Sequence, residues 1–137
     1  MNYPRLRFQI PSSTMNLNVV EKILNDLKNT WNIQEENYFD MMVAVTEAVT
    51  NAIVHGNKSD IRKLVSINVF HDRDLCVFST EDQGEGFDYK TVKNPTLAES
   101  LIELGGRGIF IMKKLSRYLR FTKNGSCVKM FFYLKAI

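Results

Sequence analysis

The sequence predicts an α+β fold, a two-layer α/β sandwich in which one mostly antiparallel mixed sheet is covered on one face by helices. Two observations predict it. The β-prone segments occur as neighbouring pairs joined by short polar turns, and helical patterns lie between these pairs. The chain has 137 residues, of which 45% are hydrophobic, so it is long enough for a single core. We therefore expect one domain, residues 1–137, with no linker.

The first two elements are a strand and a helix. Residues 5–10 alternate, with Leu6, Phe8 and Ile10 on one side, which predicts a half-buried strand that ends at Pro11. The hydroxyls of residues 12–14 are suitable N-caps for a first amphipathic helix. The apolar residues of that helix recur at helical spacing and are Leu17, Val20, Leu24, Leu27 and Trp31.

A second helix is predicted from about Gln34, because Glu35 and Glu36 suit the positive end of a helix dipole. The sequence His55-Gly56-Asn57 is predicted to stop it. With a rotation of about 100° per residue, one arc is apolar and forms the expected core face: Met41, Val45, Ala48, Val49 and Ala52. Glu47 and Asn51 stack on a different face, among apolar neighbours, so we expect that face to be covered or to line a pocket.

Two hairpins are predicted in the remaining sequence. Residues 64–70 and 75–81 flank the polar tetrad at 71–74, and residues 118–122 and 126–134 flank Lys123-Asn124-Gly125. Between the hairpins we expect a glycine-bearing loop at 82–95 and a short helix at 96–104. Gly105-Gly106-Arg107-Gly108 would then lead into a further helix.

Composition limits the function classes. The net charge is +3, but basic and acidic residues are interspersed, and the basic cluster at 113–120 is better interpreted as a solvated helix face than as a nucleic-acid surface. Cys76 and Cys127 lie in apolar runs, which favours packing over metal binding. The N-terminus lacks a signal core. We therefore expect a cytoplasmic protein that binds neither nucleic acid nor membrane.

The pair Glu47 and Asn51 is the first candidate for chemistry. A carboxylate in a pocket can act as a general base or hold a water molecule, and a neutral amide beside it can ligate magnesium through its carbonyl oxygen. The alternative is a helix whose Glu and Asn face solvent near a subunit contact. The helix by itself does not decide between the two.

Two glycine-bearing segments are the other candidates. Asp82 ends a strand before Gly84 and Gly86, and its carboxylate would accept a hydrogen bond from an adenine amino group, although a simple turn remains the alternative. The segment 105–108 opens a helix, so its free N–H groups and Arg107 would suit a phosphate, unless it is only a flexible joint. It matches neither the P-loop pattern nor the Rossmann pattern.

Taken in order, residues 47–55, 81–88 and 105–112 resemble the N, G1 and G2 boxes of GHKL (histidine-kinase-like) ATPases. Within that superfamily, Ile10-Pro11-Ser12 and the form of residues 47–55 are most similar to the anti-sigma-factor serine/threonine kinases. The resemblance covers nearly the whole chain. It implies a Bergerat-type ATP-binding fold with a lid, here residues 88–107, over the phosphates.

The resemblance also implies roles for single residues, with ATP and Mg²⁺ as cofactors. Glu47 would be the catalytic base and Asn51 the magnesium ligand. Ser126 stands where the family usually carries Thr near the adenine. Asp82 would bind the adenine, and Gly84 and Gly86 would shape the pocket around it. Gly106, Arg107 and Gly108 would contact the phosphates.

The implied activity is phosphorylation of an anti-sigma-factor-antagonist-like protein on Ser or Thr, with regulation by partner switching. The same analogy implies binding of a sigma factor and a homodimer. One departure matters: related kinases commonly place an arginine in the first helix, whereas no Arg lies between Arg7 and Arg62. The alternative is therefore an ATP-dependent protein-binding switch without phosphoryl transfer. A sensor histidine kinase fragment is less favoured, since we expect no dimerisation and phosphoacceptor helix before residue 47.

Overall fold

A computed structural model describes residues 5–86 and 106–134 of the chain. Within these residues, five strands form one sheet in the order β1-β2-β3-β5-β4, and its four strand pairs are antiparallel. The strands are β1 Arg5–Pro11, β2 Leu64–Asp72, β3 Leu75–Glu81, β4 Tyr118–Thr122 and β5 Cys127–Tyr133. The helices are α1 Leu17–Thr30, α2 Glu35–Asn51 and α3 Gly106–Leu115. The predicted α+β fold class is confirmed.

The sheet has one buried face, which the strand register builds across all five strands. Leu6 of β1 lies opposite Val69, Val69 opposite Phe78, and Phe78 opposite Met130. Met130 in turn lies opposite Leu119 of β4. Because side chains alternate along each strand, the inward residues of the five strands meet the helices on this face. The predicted two-layer arrangement follows from this alternation.

The helices cover that face through the positions predicted from periodicity. Ser13 caps a short 3₁₀ turn, Thr14–Asn16, by accepting a hydrogen bond from the N–H of Met15 at 3.4 Å. Helix α1 then buries Val20 and Leu24. The predicted core face of α2 is confirmed, since its five residues are at most 5% exposed: Met41, Val45, Ala48, Val49 and Ala52. Both cysteines are buried and unpaired.

Helix α2 ends where the sequence predicted, but through a local change of helix type. Residues Ala52–Gly56 form a π-helical turn, in which the N–H of Asn57 donates to the carbonyl of Ala52 at 2.9 Å. Lys58 and Ser59 then have φ values of 53° and 57°. Such left-handed backbone cannot continue a right-handed helix, so the chain turns from α2 towards β2.

The two hairpin turns differ from one another. The tetrad predicted at 71–74 is too long, because His71 and Asp72 pair with Cys76 and Leu75 and belong to β2. Only two residues are left for the turn, and Arg73 takes the positive φ (53°) that a two-residue hairpin demands. In the second hairpin, the turn Lys123–Gly125 has positive φ at all three residues.

Some predicted features lie outside the described residues. These are the short helix at 96–104, Gly105 and most of the lid at 88–107. Glycines 106 and 108, together with Arg107, are in the first turn of α3, as predicted. Within residues 5–86 and 106–134, no helix is both long and apolar enough to span a membrane.

Candidate functional site

A pocket of about 320 Å³ opens between the C-terminal end of α2 and the end of the sheet formed by β3, β4 and β5. Its walls come from segments that are far apart in sequence. Ala48 and Ala52 line it from α2, Thr80 from β3, Met112 from α3 and Val128 from β5. Polar groups reach it at a few points, among them Asn51, Asp82 and Ser126. A largely apolar cavity with few polar groups is typical of a small-molecule site.

Asp82 is the carboxylate of this pocket. Its backbone N–H donates to the carbonyl of Ser126 at 2.9 Å, and its Oδ1 accepts a hydrogen bond from the N–H of Gly84 at 2.8 Å. Burial raises the pKa of Asp82 above its ordinary value, although the bond from Gly84 acts in the opposite direction. The carboxylate is therefore held in place and partly removed from water, as a hydrogen-bond acceptor for a ligand would be.

Glycines allow the backbone to pack closely around Asp82. A β-carbon on Gly56 would overlap the Asp82 carboxylate, and one on Gly84 would overlap the carbonyl oxygen of Gly56. Gly86 has a φ of 84°, and a β-carbon there would overlap the carbonyl of Asn124. Side chains at these positions would push the loop 82–86 away from the end of α2 and from the β4–β5 turn. The glycines thus set the shape of the pocket.

Glu47 and Asn51 lie at the contact between α2 and α3. A β-carbon placed on Gly108 would lie 2.9 Å from Nδ2 of Asn51 and 3.0 Å from Oε2 of Glu47. Both side chains are partly buried. The expectation that this face of α2 is covered or lines a pocket is confirmed, because α3 covers it and Asn51 also lines the pocket. A carboxylate and an amide therefore meet the first turn of a helix.

The remaining predicted residues take different places. Ser126 lines the pocket, and its hydroxyl donates to the carbonyl of Lys123 at 2.8 Å. Arg107 is exposed in the first turn of α3, next to the Gly108 contact. Gly106 begins this helix. Of the nine predicted site residues, four line the pocket: Asn51, Asp82, Gly86 and Ser126. Gly84 bonds Asp82, Glu47 meets Gly108, and Gly106, Arg107 and Gly108 form the first turn of α3.

Sequence reasoning missed several residues of the site. Gly56 and Asn57 were recognised only as a helix stop, yet Gly56 touches Asp82 and Asn57 is fully buried. Thr80 is buried at the pocket wall, and Lys58 lies at its edge. One available signal was the polar Asn57, because a polar residue directly after a helix and before a strand often bonds neighbouring backbone groups. The places of Gly56, Lys58 and Thr80 in the site depend on tertiary packing, which gives no local signal in the sequence.

The site and the fold together define a class of protein, a nucleotide-binding α+β domain. An apolar pocket with one fixed acceptor suits a purine base, and the adjoining N-terminus of α3 suits an anion. Consistent with this class, residues 10–132 match the family model described as "Histidine kinase-like ATPase domain". The chain belongs to the histidine kinase-like ATPase family, and ATP is the ligand that this family implies.

The chain is also similar to named protein kinases. It is 28% identical to the serine-protein kinase RsbW of Staphylococcus epidermidis over 140 residues, which cover 95% of this chain and 87% of that protein. It is 28% identical to RsbW of Oceanobacillus iheyensis over 121 residues, covering 83% and 76% of the two chains. The predicted resemblance to the anti-sigma-factor serine kinases within the GHKL ATPases is confirmed.

A solved structure supports the fold. The crystal structure of the RsbU and RsbW domains of Rv1364c from Mycobacterium tuberculosis matches with a TM-score of 0.66 at 17% identity. The match covers 97% of this chain and 34% of that longer chain. At this identity the likeness concerns the fold alone, and it agrees with the α+β sandwich described above.

Proposed function

We propose that this chain is a serine/threonine protein kinase of the anti-sigma-factor type, which uses Mg-ATP to phosphorylate an anti-sigma-factor-antagonist-like protein. The observation that carries the proposal is the contact of Glu47 and Asn51 with Gly108. It joins a carboxylate and an amide to a helix N-terminus directly beside the Asp82 pocket. This combination provides a base, a metal ligand and an anion site within one small region.

The binding part of the proposal follows from the pocket. Asp82, fixed by Gly84 and Ser126, accepts a hydrogen bond from the adenine amino group, and Gly84 and Gly86 keep the pocket open. Ser126 stands at the rim. The phosphates lie towards the first turn of α3, where Gly106, Arg107 and Gly108 offer N–H groups and one positive charge.

The chemical step requires a base and a metal ligand. Asn51 would hold Mg²⁺ through its carbonyl oxygen, and a bound Mg²⁺ neutralises phosphate charge. The hydroxyl oxygen of the acceptor residue forms a bond to the γ-phosphorus of ATP. Glu47 takes the proton of that hydroxyl in the same step. The bond from that phosphorus to the bridging oxygen breaks, and ADP leaves. The partner thereby gains a phosphate whose charge changes its affinity for other proteins.

The alternative is an ATP-dependent protein-binding switch that transfers no phosphate. It is favoured by one observation, the lack of any Arg from residue 8 to residue 61, because a well-placed arginine can contribute on the order of a thousandfold to the rate of phosphoryl transfer. Two cationic side chains belong to the proposed site, Arg107 in the first turn of α3 and Lys58 on the pocket lining. In the kinase proposal they supply this charge.

The wider setting is proposed by analogy with the family. The chain acts in the cytoplasm as a homodimer, binds a sigma factor as a second partner, and regulates transcription by partner switching without contacting nucleic acid itself. The small net charge of +3 agrees with the last point.

The proposal is tested by transfer of labelled phosphate from ATP to proteins in a lysate of the source cells. We expect the wild type to label one small protein on Ser or Thr and Glu47→Gln to label none, because the amide cannot accept the proton. Glu36→Gln, an exposed change in the first turn of the same helix, is the matched control and should label as the wild type does.

The outcomes separate the two functions. A labelled band that persists in Glu47→Gln would contradict the assignment of the base. ATP binding with no labelled protein in any variant would reject the kinase and leave the protein-binding switch. Absence of ATP binding would reject both.

A further inference from the structure

We infer that Asn57 is a positioning residue for adenine recognition, acting on Asp82 through the backbone of Gln83. This inference rests on the proposed ATP-binding function and deepens it. Neither the N-box-like segment nor the loop 82–86 includes Asn57, which follows the π-helical turn at the end of α2. Its side chain is 0% exposed, so it does not touch the ligand itself.

The side chain of Asn57 joins three segments of the chain. Its amide Nδ2 donates to Oγ of Ser12 at 2.8 Å and to the carbonyl of Leu64 at 3.1 Å. Its carbonyl Oδ1 accepts a hydrogen bond from the N–H of Gln83 at 2.7 Å. Both amide protons and the oxygen are thus used. The end of β1, the start of β2 and the residue after Asp82 are tied to one buried point.

Two further bonds stiffen this point. The hydroxyl of Ser12, itself 0% exposed, donates to the carbonyl of Lys63 at 2.7 Å. The side-chain oxygen of Gln83 accepts a hydrogen bond from the N–H of Leu64 at 2.6 Å. The Ser12–Lys63 bond is part-buried and costly to break, because its freed groups would regain little water, whereas the Leu64–Gln83 bond is exposed and adds less. The Gln83 backbone therefore has one favoured position.

Position matters here because Gln83 directly follows Asp82. The Asp82 carboxylate lies against Gly56, the residue before Asn57, so the Asn57–Gln83 bond closes a short loop of contacts around the carboxylate. A second tie to Asp82 comes from the other side, where its N–H donates to Ser126. Loss of the hydrogen bond between Asn57 and the N–H of Gln83 removes one of these two backbone restraints on Asp82. The carboxylate would then sample positions that do not meet an adenine amino group.

The test compares two nucleotides that differ only in that amino group. ATP carries it, and purine riboside triphosphate lacks it. We expect the wild type to prefer ATP and Asn57→Ala to lose roughly tenfold of this preference, the usual effect of one charge-assisted hydrogen bond. A merely destabilised protein would weaken both affinities equally and leave their ratio unchanged, so the ratio reports position and not stability.

Ser12→Ala is the matched control. It removes both hydrogen bonds of the Ser12 hydroxyl, the one to Lys63 and the one from Asn57, but keeps the Asn57–Gln83 bond. It should therefore lower the melting temperature and keep the wild-type preference. Asn57→Asp retains an oxygen for the Gln83 N–H and should keep most of the preference. Asn57→Ser, whose hydroxyl is too short to reach Gln83, should lose it. If Asn57→Ala does not fold, the nucleotide preferences of Asn57→Asp and Asn57→Ser are compared instead.

The outcomes distinguish this inference from the proposed function. A wild type that binds neither nucleotide would reject the ATP-binding function, and one that binds both equally would reject the adenine contact of Asp82. If the wild type prefers ATP and both Asn57→Ala and Asn57→Ser keep that preference, only the role of Asn57 is overturned. An equal loss in Ser12→Ala would overturn it as well, because the effect would then be one of general stability.

Discussion

Asp82 shows at the scale of one residue how the proposed binding site opposes stability. Its carboxylate is half-buried, and desolvation raises its pKa above 3.8 despite the bond from Gly84. The ionised form is therefore less stable in the fold than in the unfolded chain. An amide of the same shape would avoid this desolvation cost, and a carboxylate kept at such a cost is typical of functional positions.

Asp82→Asn should accordingly raise the melting temperature of the ligand-free protein at neutral pH. Well below pH 3.8 both states of the wild type are protonated and the gain should vanish. The gain should grow as the pH rises above 3.8 and become constant above the raised pKa of the folded protein. ATP affinity should fall roughly tenfold, because the acceptor loses its charge. Melting curves against pH and calorimetric titration measure both effects.

Asp74→Asn, a change of an exposed carboxylate in the β2–β3 turn, is the control for the loss of one negative charge. An Asp82→Asn protein that is less stable than the wild type at neutral pH would contradict the proposed burial cost.

At the scale of secondary-structure elements, the contact between α2 and α3 determines the arrangement of the proposed catalytic groups. Glu47 and Asn51 stack on one face of α2, as their spacing predicts. Gly108 lets the first turn of α3 approach both side chains, since it has no β-carbon to occupy the space between them. The site therefore depends on how two helices pack, and a small change in that packing should affect chemistry more than folding.

Gly108→Ala tests this separation. Alanine favours a helix over glycine by about 0.5–1 kcal/mol, and the new β-carbon meets only the ends of flexible side chains. We therefore expect a melting temperature equal to or above that of the wild type. Phosphoryl transfer should fall on the order of a hundredfold, because Glu47 and Asn51 are displaced. Lys113→Ala, an exposed change on α3, should alter neither. Full activity in Gly108→Ala would contradict the proposed role of this contact.

At the scale of the whole molecule, the pocket is lined by residues from both the helices and the sheet. Its lining comes from α2, β3, α3 and the β4–β5 hairpin. Some lining residues, such as Ala48 and Met112, also belong to the hydrophobic core. A ligand in this pocket would contact both the helical layer and the sheet. Binding should therefore stabilise the domain as a unit rather than one loop.

Mg-ATP at about a hundred times its Kd should stabilise the folded chain by roughly 2.7 kcal/mol. The shift in melting temperature, followed by calorimetry, should be present in the wild type and in Glu47→Gln, since that residue acts on the proton and not on the nucleotide. In Asp82→Asn, whose Kd should be roughly tenfold higher, the stabilisation should fall to about 1.4 kcal/mol at the same concentration of Mg-ATP. The absence of a shift in the wild type at saturating Mg-ATP would count against nucleotide binding altogether.

The sequence by itself determined the features that depend on local periodicity. It predicted the α+β class, the hairpin pairs, the core face of α2, the covered face that carries Glu47 and Asn51, and the three segments that resemble ATPase boxes. The turn at Lys123–Gly125 was also predictable, because an Asn-Gly pair accepts the positive φ values found there. Each of these signals is contained within a few neighbouring residues, and solvent and backbone sterics act on them locally.

Only the tertiary structure determined which residues, distant in sequence, are in contact. Strand β5 is between β3 and β4, which brings the Ser126 carbonyl to Asp82. Asn57 bonds Ser12 and Gln83 across separations of 45 and 26 residues, and Gly56 meets Asp82 through backbone packing. A hydrogen bond between distant residues leaves no periodic signal, because its two partners are brought together by the whole sheet. The candidate site residues could thus be named from the sequence, but the contacts that position them could not.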